Sequence, residues 1–384
     1  MTAAQLEEAN NNIAVVDRIV QRALQTLAKY EVNMDREAWL KEAEKSEATG
    51  MVAVCQAIVR HAIGMGLDPQ DRKKIWMDDA ESSIQHGRIE TARAIYAHAL
   101  TVFPGKKSVW LKAAHLEKNH GDRGTLDTLL RRATLRCPQA EVLWLMAAKE
   151  KWLAGDVAAA REILQEAFAS NTDSEEIWLA AVKLENENNE PERAKMLLAR
   201  ARERAQDKPR VWMKSAKLER EQGRQEAERA ILEEGIEKFP DYEKLWLMIG
   251  QMEEANGDYE QAKKRYITGI KSCKTCVPLW LSITRLEMEG KSVGGSINTA
   301  RSMLEKARLV NAGEELLWLE AVKVEVASSN LKIASQLLSR GMQECPKSGL
   351  LWAEAIRLEP RAQRKVRQWI ALCFYDACGI NRPF

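Results

Sequence analysis

The residue types here that could do chemistry are cysteine pairs, histidines, carboxylates and glycine–lysine turns. The sharpest spacing is Cys273-Lys-Thr-Cys276, because two thiols three residues apart can share a zinc ion or cycle through a disulfide. Zinc would need a second ligand pair, and a thioredoxin-like centre would need a βαβ setting. The sequence offers neither, so Cys273 is expected to pack. Five histidines, at positions 61, 86, 98, 115 and 120, share no metal-ligand spacing. Gly290-Lys-Ser resembles the end of a phosphate-binding loop, but Arg285 stands where its first glycine belongs. No nucleophile–base pair can be argued, so the chain is read as non-catalytic, with no cofactor and no metal.

The elements that must position these residues recur. Shifted by 34 residues, the chain aligns Trp76, Trp110, Trp144, Trp178, Trp212, Trp246 and Trp280 with one another. Small insertions extend the series to Trp39, Trp318 and Trp352, and a fixed period of this length signals stacked helical hairpins. A first helix reads Trp-Leu-x-x-Ala-x-Leu-Glu, as at Trp110–Glu117. Eleven residues after the tryptophan comes Gly50, Gly87, Gly121, Gly155, Gly223 or Gly257, with Asn189 in the unit of Trp178. These residues tolerate the left-handed conformation that ends a helix. A second helix reads Ala-Arg-x-Ile/Leu-Leu/Tyr-x-x-Ala, as at Ala194–Ala201, or closes on Gly235, Gly269 or Gly341. Pro104, Pro138, Pro240 and Pro346 then terminate the unit.

No stretch alternates with a period of two. The fold class is therefore all-α, a right-handed superhelical solenoid of antiparallel hairpins. Nine full repeats are expected, with a half repeat at each end. Residues 9–29 read as a lone second helix, so the array starts halfway through a unit. The solenoid should span residues 1–360. From Arg361 the register is lost, and residues 361–384 read as an atypical tail with a short capping helix near Gln363–Tyr375.

Helical geometry, at about 100° per residue, puts the tryptophan and the positions one, three, four, six and seven later on one broad apolar arc. Glu117, Glu185, Glu219, Glu253, Glu287, Glu325 and Glu359 sit seven after the tryptophan, inside that arc. A buried carboxylate must find donors. Arg93, Arg161, Arg229 and Arg301 on the second helices are candidate partners, with the pairing left open. Five after the tryptophan lies a narrow polar strip bearing Lys149, Lys183, Lys217, Arg285, Lys323 and Arg357, interrupted at Gln251. Earlier units carry Glu44, Glu81 and His115 there. This basic series is either a solvated face or a grip for an acidic or RNA partner.

Composition bounds the alternatives. Over 384 residues the net charge is +2, with 45% apolar and 30% charged residues. Five basic residues and one acid lie after Pro360, so the rest of the chain is slightly acidic and is no basic glove for nucleic acid. No membrane span and no secretory leader are expected. Seven cysteines point to a reducing compartment.

The tryptophan–glutamate first helix, the Ala-Arg second helix and the late proline together resemble the HAT (half-a-tetratricopeptide) repeat family. Ordinary tetratricopeptide units want Leu-Gly-x-x-Tyr in the first helix. The phrases TAAQLEEANNN at 2–12, DRKKIWMDDAESS at 71–83 and KKSVWLKAAHLEKNHG at 106–121 resemble the HAT-repeat scaffolds of the spliceosomal tri-snRNP. So do EVLWLMAAKEKWLAGD at 141–156, with Trp152 outside the repeat register, and SEEIWLAAVKLENEN at 174–188.

The resemblance implies a nuclear bridging protein whose partners are spliceosomal small nuclear ribonucleoprotein proteins, with RNA contact indirect. Self-association through the terminal half repeats is a further expectation. The rivals are a HAT scaffold of another RNA-processing complex (3′-end cleavage or crooked-neck-like), a tetratricopeptide chaperone adaptor and the helical subunit of a prenyltransferase.

Overall fold

The computed structural model describes residues 2–30, 35–290, 294–360, 363–366 and 368. Among them are twenty-one α-helices and no strand. Nine full hairpins follow in order. They are α3 (Arg36–Ala48) with α4 (Val52–Ala62), α5 (Arg72–Gln85) with α6 (Ile89–Val102), and α7 (Lys107–His120) with α8 (Arg123–Arg136). Next come α9 (Glu141–Leu153) with α10 (Val157–Ser170), α11 (Glu175–Glu187) with α12 (Pro191–Arg204), and α13 (Pro209–Glu221) with α14 (Gln225–Lys238). The last three are α15 (Glu243–Ala255) with α16 (Tyr259–Ser272), α17 (Val277–Met288) with α18 (Ile297–Val310), and α19 (Glu315–Ala327) with α20 (Leu331–Glu344). A first helix, α21 (Gly349–Leu358), ends the described array. The chain is an all-α, tetratricopeptide-like solenoid of stacked hairpins.

The start of the chain differs from the sequence expectation. Residues 9–29 are not a lone helix: α1 (Thr2–Ala9) packs on α2 (Ile13–Lys29), and Asn11 turns between them at φ 62°. Asn11 thus does the work of the turn glycines, and the leading half unit is a hairpin with a short first helix. The Asn10-Asn11-Asn12 run was the available signal. The expected tail helix near 363–375 lies mostly outside the described residues.

Local chemistry fixes the helix ends. Gly87 and Gly223 take φ near +73°, and Asn189 at 59° and Ser329 at 60° turn in the same left-handed region. Gly121 is the exception. Its backbone is extended, and a Cβ there would fall 2.1 Å from the Glu117 carboxylate and 2.8 Å from the Glu117 carbonyl. Glycine is needed at 121 for close approach, not for handedness.

The contacts divide the chain into two compact units, one reaching Leu197 and the other starting at Leu198. In the first, Trp39, Trp76, Trp110, Trp144 and Trp178 are buried among Ala43, Ala80, Ala99, Ala133 and Ala167. In the second, Trp212, Trp246, Trp280 and Trp352 are buried, and Trp318 is half-buried beneath Arg308, whose guanidinium stands 4.5 Å from the ring centroid. Small residues close the second helices because the tryptophan lies against them. A Cβ added at Gly269 would come within 2.8 Å of the Trp246 side chain.

Candidate partner-binding strip

In most repeats the tryptophan serves twice, as apolar bulk and as a donor. Trp110 Nε1 donates to the Pro104 carbonyl and Trp144 Nε1 to that of Pro138, both at 2.8 Å. In the second unit Trp246 donates to Pro240 at 2.8 Å and Trp352 to Pro346 at 3.1 Å. The carbonyl of the terminating proline has no helical partner, so the next hairpin's indole satisfies it. Sequence reasoning missed this link, although the constant six-residue spacing from proline to tryptophan announces it. The cysteine column meets the same carbonyls: Cys137 Sγ lies 3.6 Å from Pro104 O and Cys273 Sγ 3.7 Å from Pro240 O. Cys345 Sγ reaches Gly313 O at 3.0 Å. Burial pushes the Cys276 thiol up to about 12, away from the thiolate a redox or zinc site would use.

Six of the glutamates seven after the tryptophan are buried, with Glu359 half-buried. For five of them the structure supplies the pairing that was left open, while Glu219 meets Arg224 of its own hairpin at 3.1 Å. Arg93 grips Glu117 with two hydrogen bonds, at 2.6 and 3.1 Å, and Arg161 grips Glu185 at 2.8 and 2.6 Å. In the second unit Arg229 holds Glu253 at 2.7 Å, Lys263 holds Glu287 at 2.8 Å, and Arg301 holds Glu325 at 2.6 and 2.8 Å. Each of these five pairs spans 24 residues, from a second helix to the first helix of the following hairpin. Thr125, Thr299 and Asn330, from the hairpin's own second helix or the turn before it, add donors to Glu117, Glu287 and Glu325. Each of these three carboxylates therefore ties three segments together. The guanidinium bonds hold the Glu325 carboxyl below its ordinary range and raise Arg301.

One clamp is inverted. Where the arginine is expected stands Asp127, and where the glutamate is expected stands Lys151. They meet at 3.0 Å, again 24 residues apart. This double exchange was visible in the sequence and went unread, because Lys151 simply dropped out of the glutamate column.

All six residues of the basic series are exposed on their first helices. They are not equivalent. In the first unit Lys149 has no ion pair among the described residues. Lys183 stands 6.0 Å above the Trp152 ring, with Glu187 at a loose 3.6 Å. In the second unit Lys217 has only Glu221 at 3.7 Å. Arg285 and Lys323 both serve the buried Glu320, at 3.2 and 3.3 Å, and Arg357 binds Glu354 at 2.9 Å. The series thus splits into three open lysines and three neutralised cations. Glu320 and Glu354 lie two after their tryptophans, where earlier units have Met146, Ala180, Lys214 and Met248.

Among the described residues, no group of three His, Cys, Asp or Glu could hold a metal ion. His61 contacts Asp17 at 3.1 Å, His86 contacts Glu44 at 3.3 Å, and His98 lies edge-on to Trp76. Among those residues, no helix is long and apolar enough to cross a membrane.

Two tetratricopeptide-repeat family models match residues 151–218 and 209–252. Protein STABILIZED1 of Arabidopsis thaliana is 56% identical over 70 residues, covering 18% of this chain and 7% of that protein. Human pre-mRNA-processing factor 6 is 51% identical over 100 residues, covering 26% of this chain and 11% of that protein. The matched stretches are thus a small part of these relatives' length. Among solved structures, yeast Tom70 is similar with a TM-score of 0.43 and 12% identity, over 96% of this chain and 88% of that one. The chain carries tetratricopeptide-type repeats over residues 151–252 and has partial homology to HAT-repeat splicing factors of the pre-mRNA-processing factor 6 group.

Proposed function

We propose that the chain is a non-catalytic protein–protein scaffold of pre-mRNA splicing, working in the nucleus to bridge proteins of small nuclear ribonucleoproteins during tri-snRNP and spliceosome assembly. The observation that carries this reading is the 51% identity over 100 residues to a pre-mRNA-processing factor. The build of the hairpins supports it. Their polar chemistry is spent on joining hairpins, through indole–carbonyl bonds and buried clamps, which leaves the exposed strip for recognition. Lys149 and Lys183 in the first unit, and Lys217 in the second, are the cations of this series not taken up by tight ion pairs, and each suits an acidic protein surface. Arg285, Lys323 and Arg357 contribute less, since forming a new contact would first break an existing pair. RNA is held through the bound proteins.

Affinity capture from nuclear extract tests the assignment. Recovery of small nuclear ribonucleoprotein proteins, persisting after nuclease treatment, is the expected outcome. Recovery of 3′-end cleavage factors or chaperones alone would overturn it.

A further inference from the structure

The third full hairpin carries a charge excess that the strip does not use. Residues 101–140 hold eight Lys and Arg against three acids. All three acids are committed. Glu117 is clamped by Arg93, Asp122 caps the Thr125 backbone N–H at 2.6 Å, and Asp127 meets Lys151 at 3.0 Å and Arg131 at 3.3 Å. Lys112 and Lys118 pair with Glu81 and Glu150 on neighbouring first helices. Lys106, Lys107, Arg123, Arg132 and Arg136 have no ion pair among the described residues.

Four of these five gather at one edge. Lys106 and Lys107 follow the Pro104–Gly105 turn at the entry to α7, and the end of α8 is drawn to that turn by the Cys137 Sγ contact with Pro104 O at 3.6 Å. The Arg132 guanidinium stands 5.9 Å from the centroid of Trp110, whose indole donates to the same carbonyl. Arg136 is the last residue of α8.

Two features set this edge apart from an ordinary solvated face. Lys106 is the N-cap and Lys107 the first residue of α7, where the helix dipole disfavours cations, so they are not there to support the helix. Leu135, flanked by Arg131, Arg132 and Arg136, is 79% exposed.

We propose that this edge is a docking surface for an acidic peptide segment with interspersed apolar side chains. Guanidinium forks match carboxylates in two-bond geometry, and Arg132 is already oriented by its stacking on Trp110. The choice of peptide over nucleic acid rests on Leu135. A sugar–phosphate backbone satisfies the cations and leaves that side chain bare, whereas an acidic segment with leucines covers both. The surface lies on a different hairpin from Lys149 and Lys183 and stands independently of the splicing assignment.

Fluorescence anisotropy with the whole chain tests it. The probe is a fluorescein-labelled ten-residue peptide of aspartate and glutamate with two leucines three apart. Its leucine-to-serine version and a ten-nucleotide uridine oligomer serve as comparisons. The leucine peptide should bind in a salt-sensitive manner, more tightly than either comparison. Leu135→Ser should weaken it several-fold, and Arg132→Glu/Arg136→Glu should abolish binding. Lys106→Glu/Lys107→Glu should also abolish it without lowering the melting temperature, because that change favours the α7 dipole, so lost binding there is not lost folding. Lys149→Glu/Lys183→Glu should bind the probe as wild type does. Absent binding, tighter binding of the uridine oligomer, or indifference to Leu135→Ser or to Lys106→Glu/Lys107→Glu would overturn the proposal.

Discussion

A carboxylate nearly sealed from water keeps its charge only where donors reach it, and Glu325 shows how the chain meets that demand. Arg301 arrives from the preceding hairpin with two bonds and Asn330 adds a third at 3.2 Å. Removing the arginine strands the charge. Arg301 is about a third exposed, so Arg301→Ala should cost about 2–3 kcal/mol in urea denaturation, below the range for fully buried pairs. Arg301→Lys should cost less.

The pH dependence has a definite sign. The folded carboxyl of Glu325 lies below its ordinary range, so its contribution is present above the unfolded value near ~4.3 and is lost as pH falls through the lower folded value. Acid titration of Glu325→Gln should show a correspondingly smaller loss of stability over that window. The inverted clamp allows a second test. Asp127→Arg and Lys151→Glu should each destabilise by juxtaposing like charges. The double variant should recover most of the loss, giving a coupling of about 1–3 kcal/mol in a double-mutant cycle. Equal, additive losses would show that the two residues are not a pair.

At the scale of the element, the hairpin stands or falls with its tryptophan. Trp246→Ala removes a buried aromatic and should cost about 3–5 kcal/mol. Trp246→Phe keeps most of the bulk but leaves the Pro240 carbonyl only the weak Cys273 thiol contact, so about 1–2 kcal/mol is expected, measured by the same denaturation. Much of this element could be read from the sequence, because tryptophan period, turn glycine and terminal proline are local signals that agree. The departures have physical causes. Asn11 turns the chain as glycine does, so α1 was hidden behind a residue type also common inside polar helices. Gly121 has the right type in the right column for a different reason, the approach of the Glu117 carboxylate. The clamps were half legible: both columns stand out, but the pairing joins separate hairpins and exists only in three dimensions. In the basic series, exposure followed from the helical wheel. The neutralisation of Arg285, Lys323 and Arg357 did not, since it depends on Glu320 and Glu354 standing within reach.

For the molecule as a whole, stability is spread within each of the two compact units, because stacked hairpins joined by similar clamps support their neighbours there. Such a chain offers many equivalent positions for partners, and charge decides among them. Lys149 and Lys183 in the first unit and Lys217 in the second are the open positions we assign to acidic protein partners. Reversing exposed side chains should leave folding intact, with a change within about 0.5 kcal/mol for each.

The most direct measurement is affinity capture from nuclear extract with the wild-type chain beside Lys149→Glu/Lys183→Glu/Lys217→Glu, quantified by mass spectrometry after the two proteins are shown to melt alike. The account predicts that the wild type recovers small nuclear ribonucleoprotein proteins and that the triple variant loses most of them. Equal recovery by both would contradict the strip, and the absence of splicing proteins from the wild-type capture would contradict the function.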